Sequence, residues 1–286
     1  MTVLDVIQRS AVFLAGKGVD SPRLQIELLL AHVLHLPRLT LYLNFDRLLA
    51  PAELESVREL VRRRANREPL QHILGSSSFC GLEIKVNRHV LVPRPETELL
   101  AERAWEFLNR LQRPAPLALD FGTGSGCIAV ALAAHCPAAR VHALDLSEQA
   151  LAVARENAAL NGVDSRVVFH AGDGFGALPP GAAFDLIVSN PPYIPSAEIE
   201  LLAPEVRDYD PRPALDGGPD GLDFFRRLGQ QAAARLQAGG RVLLEIGDGQ
   251  AEAVREIFLR HNWVVESVEA DYNGRPRVLA LHPGRA

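Results

Sequence analysis

Lysine is nearly absent from this 286-residue chain: Lys17 and Lys85 are the only two, so almost all positive charge is arginine, and the whole carries a net charge of −5. That balance argues against a protein whose main task is to wrap a nucleic-acid backbone, which leaves a strongly basic surplus, so no stable nucleic-acid partner is expected. Cysteine is scarce too. Cys80, Cys127 and Cys136 are odd in number and form no CxxC pair. Neither a disulfide framework nor a zinc knuckle follows, and the three read as small buried apolar residues in a reducing compartment. The nine histidines show no metal-ligand spacing, so no metal site is expected. No window approaches the roughly 18 uninterrupted apolar residues of a spanning helix. Asp5 and Arg9 break the N-terminal apolar pattern where a signal peptide would be unbroken. A cytoplasmic protein without a membrane partner is the expectation.

What is present falls into three stretches, expected at 1–75, 76–93 and 94–286. The first is helical. Thr2 caps a helix carrying Leu4, Ile7, Ala11 and Leu14 on one face, Ser21 and Pro22 open a second, and a further long helix runs from Pro51 to about Ala65. In the second stretch the period becomes two. "FCGLEIKVNRHVLVP" puts Leu82, Ile84 and Val86 on one face and Glu83, Lys85 and Asn87 on the other, which predicts a β-hairpin linker. From Pro116 onward strands and helices alternate, the pattern of an α/β fold with a mostly parallel sheet covered on both faces.

"LALDFGTGSGCIAVALA" reads as strand, glycine turn, helix. Gly122, Gly124 and Gly126, with Thr123 and Ser125 between them, allow a tight turn and close approach of backbone to ligand. Asp145 ends the next strand, where a carboxylate can accept ribose hydroxyls. This much fits either a dinucleotide or S-adenosylmethionine. Asp120, directly before the turn, separates the two: its charge opposes a pyrophosphate and attracts an ammonium and a sulfonium. The spacing is also G-x-G-x-G, one residue short of the dinucleotide fingerprint. Asp173 in "AGDGF" ends the third strand, where it is expected to meet the adenine amino group with Gly174 and Phe175 beside the ring.

"FDLIVSNPPY" ends the fourth strand at the same sheet edge. By itself Asn-Pro-Pro is a turn signal. Beside the glycine loop it predicts a holder for a planar NH2 group. The Asn190 side-chain carbonyl and the Pro191 backbone carbonyl supply two acceptors, Pro191 and Pro192 stiffen the loop, and Tyr193 is expected to give an aromatic wall. Two fixed acceptors can turn the nitrogen lone pair toward a methyl donor, which is catalysis by orientation. Direct in-line displacement, without covalent intermediate or metal, is the expected course.

"LDFGTGSG", "NPPY", "LVPRPETE" and "LDGGPDGL" behind a helical N-terminal stretch resemble, along essentially the whole chain, the PrmC/HemK family of bacterial protein-(glutamine-N5) methyltransferases. The resemblance implies a Rossmann-like, seven-stranded class I S-adenosylmethionine-dependent methyltransferase domain with an antiparallel last strand, behind a small helical substrate-docking bundle. It implies S-adenosylmethionine as cofactor, S-adenosylhomocysteine as product, and the Gly-Gly-Gln glutamine of class 1 peptide chain release factors as substrate. Carried over by position, residues 122–126 and Asp145 bind cofactor, Asn190 to Tyr193 bind the glutamine with Asn190 also touching cofactor, and Phe79 is an aromatic near the substrate pocket. Thr97 and Glu98 of "PRPETE" lie beside the cofactor. Gly174 departs from relatives that have tryptophan there, so Phe175 or another side chain has to stack on the adenine.

Amino-methyltransferases of DNA or RNA bases share NPPY and form the alternative. Its support is "RELVRRRANR", with five arginines, readable as a solvated helix face or as a docking strip for release factor or RNA. Against it, residues 1–75 hold ten basic and eight acidic side chains, which leaves the catalytic stretch at −7. The irregular "EVRDYDPRPALDGGPDGLDFF" reads as a flexible loop able to close over substrate, or as a surface connector.

Overall fold

A computed structural model describes residues 1–284, which form two compact units. The first comprises residues 1–75 and 203–209. Its helices are α1 (Val3–Ala15), α2 (Pro22–Leu34), α3 (Pro51–Ala65) and the short α4 (Leu70–Leu74). A reciprocal capping box starts α1: the Asp5 amide donates to the Thr2 hydroxyl at 3.1 Å and the Thr2 amide to the Asp5 carboxylate at 3.0 Å. Ser21 does not cap α2 as expected. It sits at φ 47° without a side-chain bond, and Pro22, pre-set to helical φ, begins the helix instead. Val3, Ile7, Leu14, Ile26, Leu29 and Leu30 fill the core.

The arginine run of α3 is largely spent inside this unit. Arg64 is buried, donating to Gln25, to the Glu68 carbonyl and to Glu205, and Arg67 grips the same Glu205 through both oxygens at 2.7 and 2.6 Å. Burial by itself opposes ionisation of Glu205, but these hydrogen bonds from Arg67 and Arg64 hold its carboxyl down at about 2. Arg62 pairs with Glu59 and Arg63 with Glu68. Such a run is no free strip of cations for RNA.

The second unit begins with the hairpin β1 (Ser76–Phe79) and β2 (Leu82–Lys85), closed by Cys80 and Gly81, both at positive φ. Ile84 and Val86 are buried, while Glu83, Lys85 and Asn87 are exposed, as the period of two requires. After α5 (Pro95–Arg110) come β3 (Leu117–Phe121), α6 (Cys127–His135), β4 (Arg140–Asp145), α7 (Glu148–Leu160), β5 (Val167–Ala171) and β6 (Phe184–Ser189). The chain ends in α8 (Asp223–Gln231), β7 (Leu236–Glu245), α9 (Ala251–Leu259), β8 (Trp263–Ala270) and β9 (Pro276–Pro283). The sheet order is β5-β4-β3-β6-β7-β9-β8. Strands β3 to β7 pair in parallel, and β9 runs antiparallel between β7 and β8. Every residue of β6 is buried, Asp185 and Ser189 included, which is why "FDLIVS" shows no regular polar–apolar alternation. The chain order reverses at β3, so that the loops after β3, β4, β5 and β6 converge at one sheet edge.

Asn157 of α7 locks the hairpin to that edge. Fully buried, it accepts from the Lys85 amide at 2.7 Å and donates to the carbonyls of Lys85 and Ser125 at 3.0 and 2.8 Å. On the neighbouring strands β4 and β5, His142 Nδ1 and His170 Nε2 lie 2.8 Å apart with stacked rings. One must donate and the other accept, so at least one ring has to be neutral and the two cannot both be protonated. Burial lowers both pKa values, and His170 lowers that of His142 further. The unfolded chain therefore binds more protons once pH falls below the ordinary histidine value of about 6.5, and stability present above that pH is lost on acidification. Thermal midpoints measured from about pH 7 to about pH 5 should fall in the wild type and fall less in His142→Phe, which cannot titrate. Equal slopes would refute this.

Candidate active site

A cavity of about 280 Å³ opens where the strand ends converge, lined by residues 122–125, by Asp145 and Leu146, by residues 172–174, by residues 189–192 and by Phe224 and Arg227. The glycine loop is tied down from β4: the amides of Gly122 and Thr123 both donate to the Leu144 carbonyl at 2.9 Å. Gly122 and Gly124 have φ of +78° and +53°, and an added Cβ at either would meet nothing within 4 Å, so backbone faces open space. Gly126 differs. Its Cβ would lie 2.9 Å from that of Ala154, so this glycine serves close packing of α6 on α7 and does not line the cavity.

Asp120, expected to face the ligand, is instead fully buried beneath the loop and does not line the cavity. Its Oδ2 accepts from the Thr123 hydroxyl at 2.6 Å and the Ala129 amide at 3.0 Å, while Oδ1 has no partner. Burial pushes its carboxyl up to about 7, against those two hydrogen bonds. Asp145 lines the cavity and accepts from the amides of Gly124 and Ser147 at 2.8 and 2.9 Å. Cys127 also lines it, but burial raises its thiol to about 12, which leaves it protonated and unreactive.

Three aromatic expectations are corrected. Phe79 is 1% exposed and packs in the core beneath the hairpin, away from the cavity lining, because the alternation of β1 turns it inward. Phe175 is buried against Phe121, ring centroids 4.9 Å apart, and not beside the cavity. Tyr193 forms no wall either: its ring turns back into the core and its hydroxyl donates to Glu245 at 3.3 Å. Asp173 lines the cavity but is engaged bidentately by Arg227 at 2.6 and 2.9 Å. The Arg227 guanidinium lies 3.6 Å from where a side chain on Gly174 would begin, on the side left open by that glycine.

Asn190 lines the cavity, and its Nδ2 donates to the Thr97 hydroxyl at 3.0 Å, leaving its carbonyl oxygen as the remaining acceptor. Among the described residues the Pro191 carbonyl accepts no backbone hydrogen bond. Thr97 in turn donates to Glu245 at 2.7 Å. Glu98 points elsewhere, accepting from the Cys80 amide at 2.9 Å. Glu245 and Arg227 are the residues that sequence reasoning passed over. The available signal for Glu245 was a carboxylate closing the apolar strand "RVLLE" at the same edge as Asp120 and Asp145.

The loop after NPPY is held rather than free. Ile194 exchanges backbone bonds with Leu215 and Gly217 at 3.0 and 2.9 Å, and Ser196 donates to the carboxylate of Asp216 and, through its amide, to the Gly218 carbonyl.

Residues 5–75 match the family model described as the PrmC N-terminal domain, and residues 104–203 that of the methyltransferase small domain. The chain is 48% identical over 278 residues to a release factor glutamine methyltransferase of Geobacter sulfurreducens, covering 97% of this chain and 95% of that protein. It is 44% identical to one of Chlorobaculum tepidum, covering 98% and 96%. Among solved structures, a methyltransferase from Pyrococcus furiosus matches with TM-score 0.54 at 22% identity over 78% of this chain and 99% of that one, a likeness of fold. With near-complete coverage at this identity, the chain belongs to the release factor glutamine methyltransferase family.

Proposed function

We propose that this enzyme methylates the side-chain amide nitrogen of the glutamine in the Gly-Gly-Gln motif of class 1 release factors, with S-adenosylmethionine as donor. The residues present fit that cofactor. Gly122 and Gly124 leave open space that any Cβ would fill, and Asp120, buried beneath the loop and outside the cavity lining, holds that loop in place through Thr123 and Ala129. Asp145 is placed by two backbone amides to accept ribose hydroxyls. Arg227, held by Asp173, and Phe224 and Leu146 are among the cavity side chains available to flank an adenine in place of the missing aromatic at 174. When bound, S-adenosylmethionine supplies an electrophilic methyl group on a sulfonium.

The observation that carries the substrate reading is the orientation of Asn190. With its NH2 committed to Thr97, its carbonyl oxygen and that of Pro191 remain as two acceptors for the two hydrogens of a primary amide. Held in this way, the substrate nitrogen keeps its lone pair directed at the donor, and most of the catalytic effect is positional. The alkylated amide is acidic, so its proton can leave late to water and no strong base is needed. The test is labelled S-adenosylmethionine offered separately with release factor, with its Gln→Ala variant, and with tRNA, rRNA or DNA. Label on intact release factor alone is the expected result. Label on nucleic acid with none on release factor would overturn it.

A further inference from the structure

A carboxamide can present either end to a ligand, and turning it over exchanges an acceptor for a donor. Only one orientation of Asn190 can hold a substrate NH2 group. We propose that Glu245, acting through Thr97, fixes that orientation, so that Asn190 presents its oxygen and never its nitrogen to the incoming amide. The inference rests on the reading of Asn190 given above.

Proton count sets the direction. The Thr97 hydroxyl has a single proton, and that proton points to Glu245 Oε2 at 2.7 Å. Toward Asn190 the same oxygen can then only accept, which it does from Nδ2 at 3.0 Å. Donation runs from Asn190 to Thr97 to Glu245 and stops at a carboxylate, which has nothing to donate. The other carboxylate oxygen takes the Tyr193 hydroxyl, so Glu245 orders two side chains of the NPPY segment at once. Thr97 and Glu245 are 2% and 1% exposed, so water does not compete for the bond between them, while the Asn190–Thr97 bond lies at the cavity wall. An apolar residue would fill the space at lower desolvation cost. The nearby cation, Arg277, donates to the Ile246 carbonyl at 2.9 Å and lies 3.6 Å from Asp271.

The groups facing Glu245 are Thr97 and Glu96 of α5, Tyr193 of the NPPY segment, Arg277 of β9 and the Cys127 thiol at the start of α6. Burial raises the Glu245 carboxyl to about 7, opposed by the Thr97 bond, Arg277 and the Tyr193 bond and assisted by Glu96. Above that pH it is acceptor-only and the direction of the chain is forced. Below it the protonated acid is a donor as well, Thr97 is released to donate toward Asn190, and the amide can turn over.

Thr97→Val, which keeps shape and removes the hydroxyl, is expected to lower kcat on the order of 10- to 100-fold. The dissociation constant for S-adenosylhomocysteine, by calorimetry, and the KM for release factor should stay within about threefold. Thr97→Ser should restore most of the rate. The wild-type kcat at saturating cofactor should fall on the acid side with a midpoint near the value of about 7 given by Glu245, and Thr97→Val should lose that limb. Asp120, in the same range, sits beneath the glycine loop and should register through that loop in cofactor affinity instead. Wild-type kcat in Thr97→Val, or an acid limb that persists there, overturns the relay. Should Thr97→Val not fold, a wild-type kcat flat from about pH 8 to about pH 6 overturns it by itself. A wild type that transfers no methyl to release factor overturns the activity instead, so the two failures are distinguishable.

Discussion

Asn190→Ala is expected to lower kcat for release factor methylation by about 100- to 1000-fold while the dissociation constant for S-adenosylhomocysteine changes by less than about threefold. Alanine removes the side-chain acceptor and leaves the Pro191 carbonyl alone to hold the substrate NH2. One acceptor fixes a distance but not a rotation, and the lone pair then samples directions away from the methyl donor. Cofactor affinity survives because its proposed anchors, the glycine loop and Asp145, follow β3 and end β4, and Asn190 follows β6. Single-turnover transfer of labelled methyl gives the rate and calorimetry gives the affinity. Activity within about twofold of wild type would remove Asn190 from the chemistry.

Gly221→Ala is the second large effect, on stability and rate together. Gly221 has φ +75°, and a Cβ there would lie 2.3 Å from the Tyr193 carbonyl oxygen and 2.8 Å from Gln250 Nε2. That carbonyl already accepts from Gln250 at 2.8 Å, so the methyl must displace backbone in the NPPY segment and break this bond. Left-handed strain plus the clash should cost about 2–4 kcal/mol of unfolding free energy. The shift of NPPY should lower kcat by about tenfold or more. Gly239→Ala isolates the strain: its φ is +81° and nothing lies within 4 Å of an added Cβ. It should cost about 1–2 kcal/mol with kcat unchanged. Urea midpoints and kcat measured side by side decide, and equal behaviour of the two variants would show that the contact with Tyr193 is unimportant.

The glycines of "LDGGPDGL" illustrate where local reading ends. Their composition predicts a flexible loop, yet Gly217 and Gly221 are small because the backbone at Tyr193 passes against them, with 2.8 Å from a Gly217 Cβ to the Tyr193 Cα. The aromatic residues mislead for a related cause. Phe79, Phe175 and Tyr193 each lie in or next to a motif, and a motif fixes where the backbone goes but not toward which side the ring turns. The arginine run of α3 likewise looks free in sequence, while its acidic partner Glu205 for Arg64 and Arg67 arrives from 141 and 138 residues away.

The sequence by itself determined the element types, a mostly parallel sheet, the turn glycines and the acidic strand ends, because these depend on periodicity and local backbone preference. It also determined Asn190 as the amide at the end of β6. Only the tertiary structure decided which way that amide faces, because the residues that set it, Thr97 and Glu245, are 148 apart in the chain and meet only when α5 packs on the sheet. It decided equally that Asp173 is paired with Arg227, 54 residues on. Hydrogen-bond direction and charge pairing are properties of neighbours in space, and a sequence fixes those only through the whole fold.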